Sequence, residues 1–473
     1  MVARPNRRRA TRRGYTAVAC TTPMLALLMT LIAASPSAAA AAGTAVATAS
    51  TTATNGVAAP LLNSHQVLLL GLAGALVFFM QAGFALLESG MARAKNSVNV
   101  LMKNYLDMCF GAVVFWACGY ALMFGANGSG WLGTSQFLFD GQRSADYVFF
   151  FYQMMFAATT ATIVSGAIAE RAHFKAYIVG SMFITALVYP VFGSWAWGGW
   201  HGGQGWLAQL GFIDFAGSTV VHSIGGWCAL AALLVVKPRL GRYAPDGTPR
   251  DIPGHNLSSA TLGGLVLWLG WFGFNGGSVA LLPDAPEGLL GKVLVNTHLG
   301  GAGGAIGAVL AASLVRSKVL LTVTINGGVA GLVSVTAGCH VMAPGFALLT
   351  GILAGLLVSL AEAVLVRRRI DDVVGAVAVH LVGGLWGTLA VGLFFEGDLF
   401  NLQRIGVQLL GMAAAAAWAF PVALALYKLI DNTLGLRATP IQEQRGLDYS
   451  EHAEVGYPEF QRELVHSGRA AQP

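Results

Sequence analysis

D-F-A-G-S-T-V-V-H-S-I-G-G-W, Asp214 to Trp227, places one histidine, His222, inside an apolar run that continues to Val236. The pattern recurs near the other end of the chain. Gly375-A-V-A-V-His380-L-V-Gly383-Gly384 repeats Gly217-S-T-V-V-His222-S-I-Gly225-Gly226 with identical spacing and no gap. Each histidine is followed one turn later by small residues, and each run approaches the length of a bilayer span. The repetition implies one site built twice.

Composition sets the class. Of the 473 residues, 55% are hydrophobic and only 11% are charged, with mean hydropathy +0.63. About a quarter charged is usual for a soluble chain, so this one has too few to wet a surface. The 61 glycines lie within apolar runs, which fits close helix packing in lipid rather than disorder. The net charge of +6 lies between apolar runs and is not a nucleic-acid footprint. Five cysteines show no paired spacing, so neither a disulfide framework nor a zinc site is indicated.

The chain opens with Arg7-Arg8-Arg9 and Arg12-Arg13, a short apolar run from Met24 to Ala34, and Ser37-Ala38-Ala39-Ala40. That three-part pattern predicts a cleaved signal peptide over 1–42, since the apolar run is too short to span. Residues 43–62, rich in Ala, Thr, Ser and Gly, read as a disordered mature N-terminus. Residues 63–432 form the membrane domain and 433–473 a cytoplasmic tail.

Eleven apolar stretches approach the roughly 20 residues a span requires. They lie near 65–90, 104–124, 147–168, 175–197, 213–236, 258–282, 289–314, 318–338, 343–366, 373–396 and 403–430. Alternate connections carry Arg93, Lys95 and Lys103; Arg171 and Lys175; Lys237, Arg239, Arg242 and Arg250; Arg316 and Lys318; and Arg367 to Arg369. Those between are nearly free of Lys and Arg, and Gly198 to Phe212 and Cys339 to Gly345 have none. The positive-inside rule then puts the N-terminus outside and the C-terminus inside. The histidine motifs fall in stretches five and ten. This predicts an all-α membrane protein of eleven helices, with two inverted five-helix repeats plus an eleventh helix. About ten and eight residues into their spans, the histidines would lie roughly 10–15 Å deep.

The chain resembles the ammonium transporter (Amt/Mep/Rh) superfamily, in its bacterial Amt form. The resemblance is carried by M-Q-A-G-F-A-L-L-E-S-G from Met80, R-A-K-N from Arg93 and F-A-A-T-T-A-T-I-V-S-G-A-I-A-E-R from Phe156. It continues through W-A-W-G-G from Trp195, the Asp214 motif and G-W-F-G-F-N-G-G-S from Gly270. It ends with G-L-R-A-T-P-I-Q-E-Q-R-G-L-D-Y-S-E-H from Gly435. The chain departs from the family after Trp197, where W-G-G-W-H-G-G-Q-G-W carries extra residues, and at Ser194, where relatives often hold a histidine.

The resemblance implies transport of ammonium or methylammonium across the bacterial cytoplasmic (inner) membrane, with no cofactor and no enzymatic step. It implies a recruitment site of Trp197, Phe156, Ser278 and Tyr152, and a gate of Phe156 and Phe274. Trp271, three residues before Phe274 and so on a similar face, would line the pore with His222 and His380. Without the resemblance, Trp197 and Tyr152 read as ordinary interfacial aromatics, and the two phenylalanines as packing. The histidine pair stands on its own, because ionisable groups at membrane depth are rarely incidental. Asp214, eight residues before His222, is expected to cap a helix start and support the site electrostatically.

The resemblance further implies a homotrimer and a PII-type signal protein on the cytoplasmic face. Gly435 to His452 is expected to dock on the inner loops, around Arg367 to Asp372, and to couple neighbouring subunits. An ammonium sensor with the same fold is the alternative. A histidine-based membrane enzyme or metal carrier ranks below it, because no H-E-x-x-H, serine elbow or carboxylate cluster accompanies the pair. No T-V-G-Y-G potassium filter is present.

Overall fold

Asn63 starts the first long helix with a capping box: its side chain accepts from the Gln66 N–H at 2.9 Å, and the Gln66 side chain accepts from the Asn63 N–H. The computed structural model describes residues 62–282, 285–315 and 318–460. The expected signal peptide and nearly all of the expected disordered stretch lie outside these residues, as does the end of the tail.

Among the described residues the protein is helical, with no strand beyond isolated bridges. Ten helices among the described residues are long and apolar enough to cross a membrane. They are α1 (Ser64–Met91), α2 (Ala94–Phe124), α3 (Ser144–Ala167), α4 (Phe174–Trp197), α5 (Ser218–Val236), α6 (Leu257–Leu281), α7 (Leu289–Leu314), α9 (Pro344–Arg367), α10 (Val377–Phe394) and α11 (Leu402–Thr433). Between α7 and α9 runs the shorter apolar helix α8 (Leu321–Val335), 15 residues long.

Helices α1 and α6 pack along each other, as do α7 and α9, through the small residues that let backbones approach in lipid. Helices α5 and α10 meet in the middle. The ladder of α5 opens beside Trp197, whose indole N–H donates to the Asp214 carbonyl at 2.6 Å. The other end of α5 lies by Arg239, whose guanidinium also holds Asp371 at the start of α10. The two helices therefore enter from opposite ends. Each opens with a π-helical turn, Ser218–Ser223 and Val377–Val382, and each turn contains its histidine.

Several basic residues are not in the open connections where the sequence places them. Lys95 and Lys103 lie within α2, and Lys103 is buried with its ammonium on the Ala172 carbonyl at 2.9 Å. Arg171 is also buried, donating to the Ala167 and Ala169 carbonyls at 2.9 and 3.0 Å. These cations serve carbonyls left unpaired just past α3, where the helix dipole is negative. Arg239 bridges Glu170 (2.5 Å) and Asp371 (2.8 Å). Beside it, burial disfavours charge on Asp371, but the Arg239 hydrogen bonds and the Arg171 charge outweigh this and hold its carboxyl well below the usual range.

The tail forms two short helices, α12 (Pro440–Arg445) and α13 (Leu447–His452). It docks on the span ends and connections that carry Lys95, Phe174 and Leu240, rather than on Arg367 to Asp372. Lys95 donates to the Glu443 and Gln444 carbonyls at 2.7 and 2.6 Å, and the buried Glu443 carboxylate accepts from the Leu240 N–H at 2.6 Å. Asp448 accepts from the Asn99 N–H at 2.8 Å, and Glu451 from the Phe174 N–H at 2.6 Å. Those N–H groups belong to the first turn of the α-helical part of α2, which begins at Ser97, and to the first turn of α4; such turns attract carboxylates. The Arg367 to Arg369 run instead points to solvent.

Candidate functional site

The sequence-selected residues form one column. Trp197, half-buried, meets the Phe156 ring edge-on at 6.1 Å between centroids. Phe156 stacks on Phe274 at 4.0 Å, with 23° between planes. Phe274 lies 5.5 Å from His222, and His222 lies 5.3 Å from His380. Trp271 stacks on His222 at 5.1 Å and directs its indole N–H to the Thr336 hydroxyl at 2.8 Å. Five of these six aromatic side chains are buried, in an order set by α3, α6, α5 and α10.

Tyr152 lies one turn before Phe156, with 4.7 Å between ring centroids. Its hydroxyl donates to the Phe274 carbonyl at 2.6 Å and lies 3.1 Å from the Ser278 hydroxyl. One tyrosine thus ties α3 to α6 at the level of the stacked phenylalanines. At the departure point, Ser194 accepts from the Asn127 amide at 2.9 Å, and Trp200 of the added segment stacks on Phe149 at 3.7 Å.

The imidazoles face each other through Nδ1, 3.2 Å apart. Two Nδ1 atoms at that distance share one proton, so one ring donates and the other accepts. The rings are therefore opposite tautomers, and their Nε2 atoms differ in the same way. His222 Nε2 is buried with no protein partner.

Asp214 precedes α5. One carboxylate oxygen accepts from the Gly217 and Ser218 N–H groups (2.9 and 2.8 Å) and the other from Thr219 and Val220 (2.8 Å each). The four otherwise orphaned donors of the helix start are satisfied by one side chain. Burial pushes the carboxyl up to about 6 despite these donors.

Sequence reading missed the second such group. Asp372 stands eight residues before His380, as Asp214 does before His222. It accepts from the Gly375, Ala376 and Val377 N–H groups at 3.1, 3.0 and 2.7 Å. Burial pushes its carboxyl up to about 6 as well. Extending the repeat three residues toward the N-terminus reveals it as D-x-x-G-x-x-x-x-H in both copies.

The sequence pattern of the Ammonium Transporter Family matches residues 68–457. The chain belongs to the Ammonium Transporter Family. Among members of the Ammonium Transporter Family, "Ammonium transporter Amt2" of Archaeoglobus fulgidus is 43% identical over 409 residues, covering 82% of this chain and 87% of that protein. The "Putative ammonium transporter 1" of Caenorhabditis elegans is 35% identical, covering 81% and 77%. Of solved structures, one titled "Sensor Amt Protein" matches with TM-score 0.78 and 39% identity, covering 82% of this chain and 98% of its own. Candida albicans Mep2 matches with TM-score 0.73 and 30% identity, covering 80% and 88%. The curated relatives are named ammonium transporters, and membership places this multi-pass chain in a lipid bilayer with ammonium as its substrate.

Proposed function

We propose that the protein recruits NH4+ at Trp197, Phe156, Ser278 and Tyr152, deprotonates it, and conducts NH3 past Phe156 and Phe274. Trp271, His222 and His380 line the path beyond, and the histidines relay the proton. The observation that carries this reading is the unbroken column from Trp197 to paired imidazoles 3.2 Å apart.

An ion at mid-membrane costs about 2.5–3.5 kcal/mol on insertion scales and more on others. Aromatic faces return roughly 0.5–2 kcal/mol each to a cation, enough to gather NH4+ at the mouth but not to carry it through. The stacked phenylalanines leave little room for a hydrated ion. Ammonia, which hydrogen-bonds as donor and acceptor, suits the opposite tautomers beyond them.

Eleven spans in two inverted five-helix halves place the N-terminus outside and the C-terminus inside, after loss of the signal peptide. The protein acts in the bacterial inner membrane as a homotrimer, with Asp214 steadying the recruitment end and a PII-type protein binding at the tail face. In proteoliposomes it takes up labelled methylammonium and carries an ammonium-dependent current, with none from potassium alone. The second reading, an ammonium sensor, draws on the likeness to the protein titled "Sensor Amt Protein". Ligand binding without uptake in the same vesicles would favour it.

A further inference from the structure

Beyond His380 the column reaches a small cavity walled by His380, Glu88, Phe84 and Asn326. It leaves ≈ 20 Å³ for the centres of water-sized molecules, room for about one water or ammonia. Phe84 continues the ring series, with 6.1 Å between its centroid and that of His380. Glu88 and His380 are the titratable side chains of this wall.

Glu88 lies on α1 and is 1% exposed. Asn104 of α2 donates its amide to Glu88 Oε2 at 2.9 Å. The orientation of that amide is fixed, because the Thr162 hydroxyl donates to the Asn104 carbonyl oxygen at 2.8 Å. The carboxyl group rests against Gly166, where an added Cβ would come within 3.0 Å of Glu88 Cδ. Lys103, next to Asn104, gives its ammonium to the Ala172 carbonyl instead.

The other titratable groups whose charge acts on or responds to Glu88 are Lys103 and Asp107 from α2 and Tyr177 from α4. Asp107 is bonded to Tyr177. A buried carboxyl group near the tail-side end of a membrane-length helix, held by neutral donors rather than an ion pair and open to a molecule-sized space, is built to exchange a proton.

We propose that Glu88 returns the proton to ammonia on the tail side of the histidines. The His380 imidazolium loses its N–H proton to the carboxylate, giving imidazole and a carboxylic acid. The acid O–H then breaks to protonate the nitrogen lone pair of ammonia, so ammonium leaves and the carboxylate is restored. The inference rests on the transport reading above.

The test compares wild type, E88Q and E88D, full-length in proteoliposomes, by ammonium-elicited current across a range of pH. Gln keeps an oxygen for Asn104 but cannot carry the proton, whereas Asp can. Current in E88Q should fall about 10-fold or more and lose the pH dependence of the wild type, while E88D retains about a third or more with that dependence intact. Wild-type current and an unchanged pH profile in E88Q overturn the assignment. So does an E88D as inactive as E88Q, which marks Glu88 as structural. A wild type that conducts no ammonium overturns the transport reading itself, and this assignment with it.

Discussion

Gly226 is seated against the backbone of Leu381, the residue after His380. A Cβ on Gly226 would lie 2.6 Å from the Leu381 nitrogen and 2.7 Å from its Cα. The relation is reciprocal. A Cβ on Gly384, its counterpart in the repeat, would lie 2.3 Å from the carbonyl oxygen of Ser218 and 2.5 Å from the Ser223 hydroxyl, both in the turn that holds His222. The small residues after each histidine thus set the distance between the histidines.

G226A should therefore open the imidazole pair without altering either imidazole. Methylammonium uptake is expected to fall about 10-fold, because backbone atoms on both sides must shift rather than one flexible side chain. G71A, at a site with nothing within 4 Å, should transport at the wild-type rate. Equal uptake in the two variants would separate helix spacing from conduction.

Replacing His222 or His380 by Ala leaves the remaining imidazole without its Nδ1 partner, at a cost of about 1–3 kcal/mol. Transport should collapse in either variant while the protein still inserts. H380E keeps a protonatable group and is expected to retain more current than H380A. The relay is refuted by unchanged rate and selectivity in the H222A/H380A double variant.

The stacked phenylalanines predict selectivity. Potassium matches ammonium in charge and approximate size but has no proton to give up. Wild-type vesicles should show ammonium current and no potassium current. F156A/F274A should gain a potassium leak, while losing about 3–5 kcal/mol of stability per ring removed. Thermal melting alongside current recordings separates the two effects, and a potassium current in the wild type would sink the gate.

Asp214 and Asp372 should behave as a pair. D214A orphans four buried N–H groups and D372A three, each worth about 1–3 kcal/mol. Both variants are expected to lower the melting temperature markedly, D214A more than D372A. D214N and D372N keep one acceptor oxygen and should fall between. A D372A protein as stable as wild type would show that the second cap is dispensable.

The tail supplies a pH prediction. Burial works against charge on Glu451, but the His173 and Phe174 hydrogen bonds prevail and hold it below the ordinary 4.5. A carboxyl lowered in the folded state adds stability that is fully present above its unfolded value and is lost as pH falls through the folded one. The tail should thus resist proteolysis at pH 7 and become cleavable below about pH 4.5. Burial shifts Asp448 the other way, so E451Q assigns the effect: it should be cleavable already at pH 7. Truncation after Leu434 should reduce transport and leave insertion intact.

Apolar run length and the spacing of two histidines were enough to read from the sequence a many-span helical membrane protein with one site built twice. Hydrophobic periodicity and buried ionisable residues are local properties, written wherever the chain must cross lipid. The motifs from Met80 to His452 carried the family as well. The tertiary structure alone brought Trp197, Phe156, Phe274, His222 and His380 into one file, since these residues lie on five different helices. It also decided which charges face water. Lys103 and Arg171 look like loop cations in sequence, yet they are buried on the carbonyls near the end of α3. The tail acids chose the N–H groups at the starts of α2 and α4 over the nearby arginine run. Backbone groups left unpaired at helix ends leave no mark on side-chain composition, so only the packed chain shows which residues satisfy them.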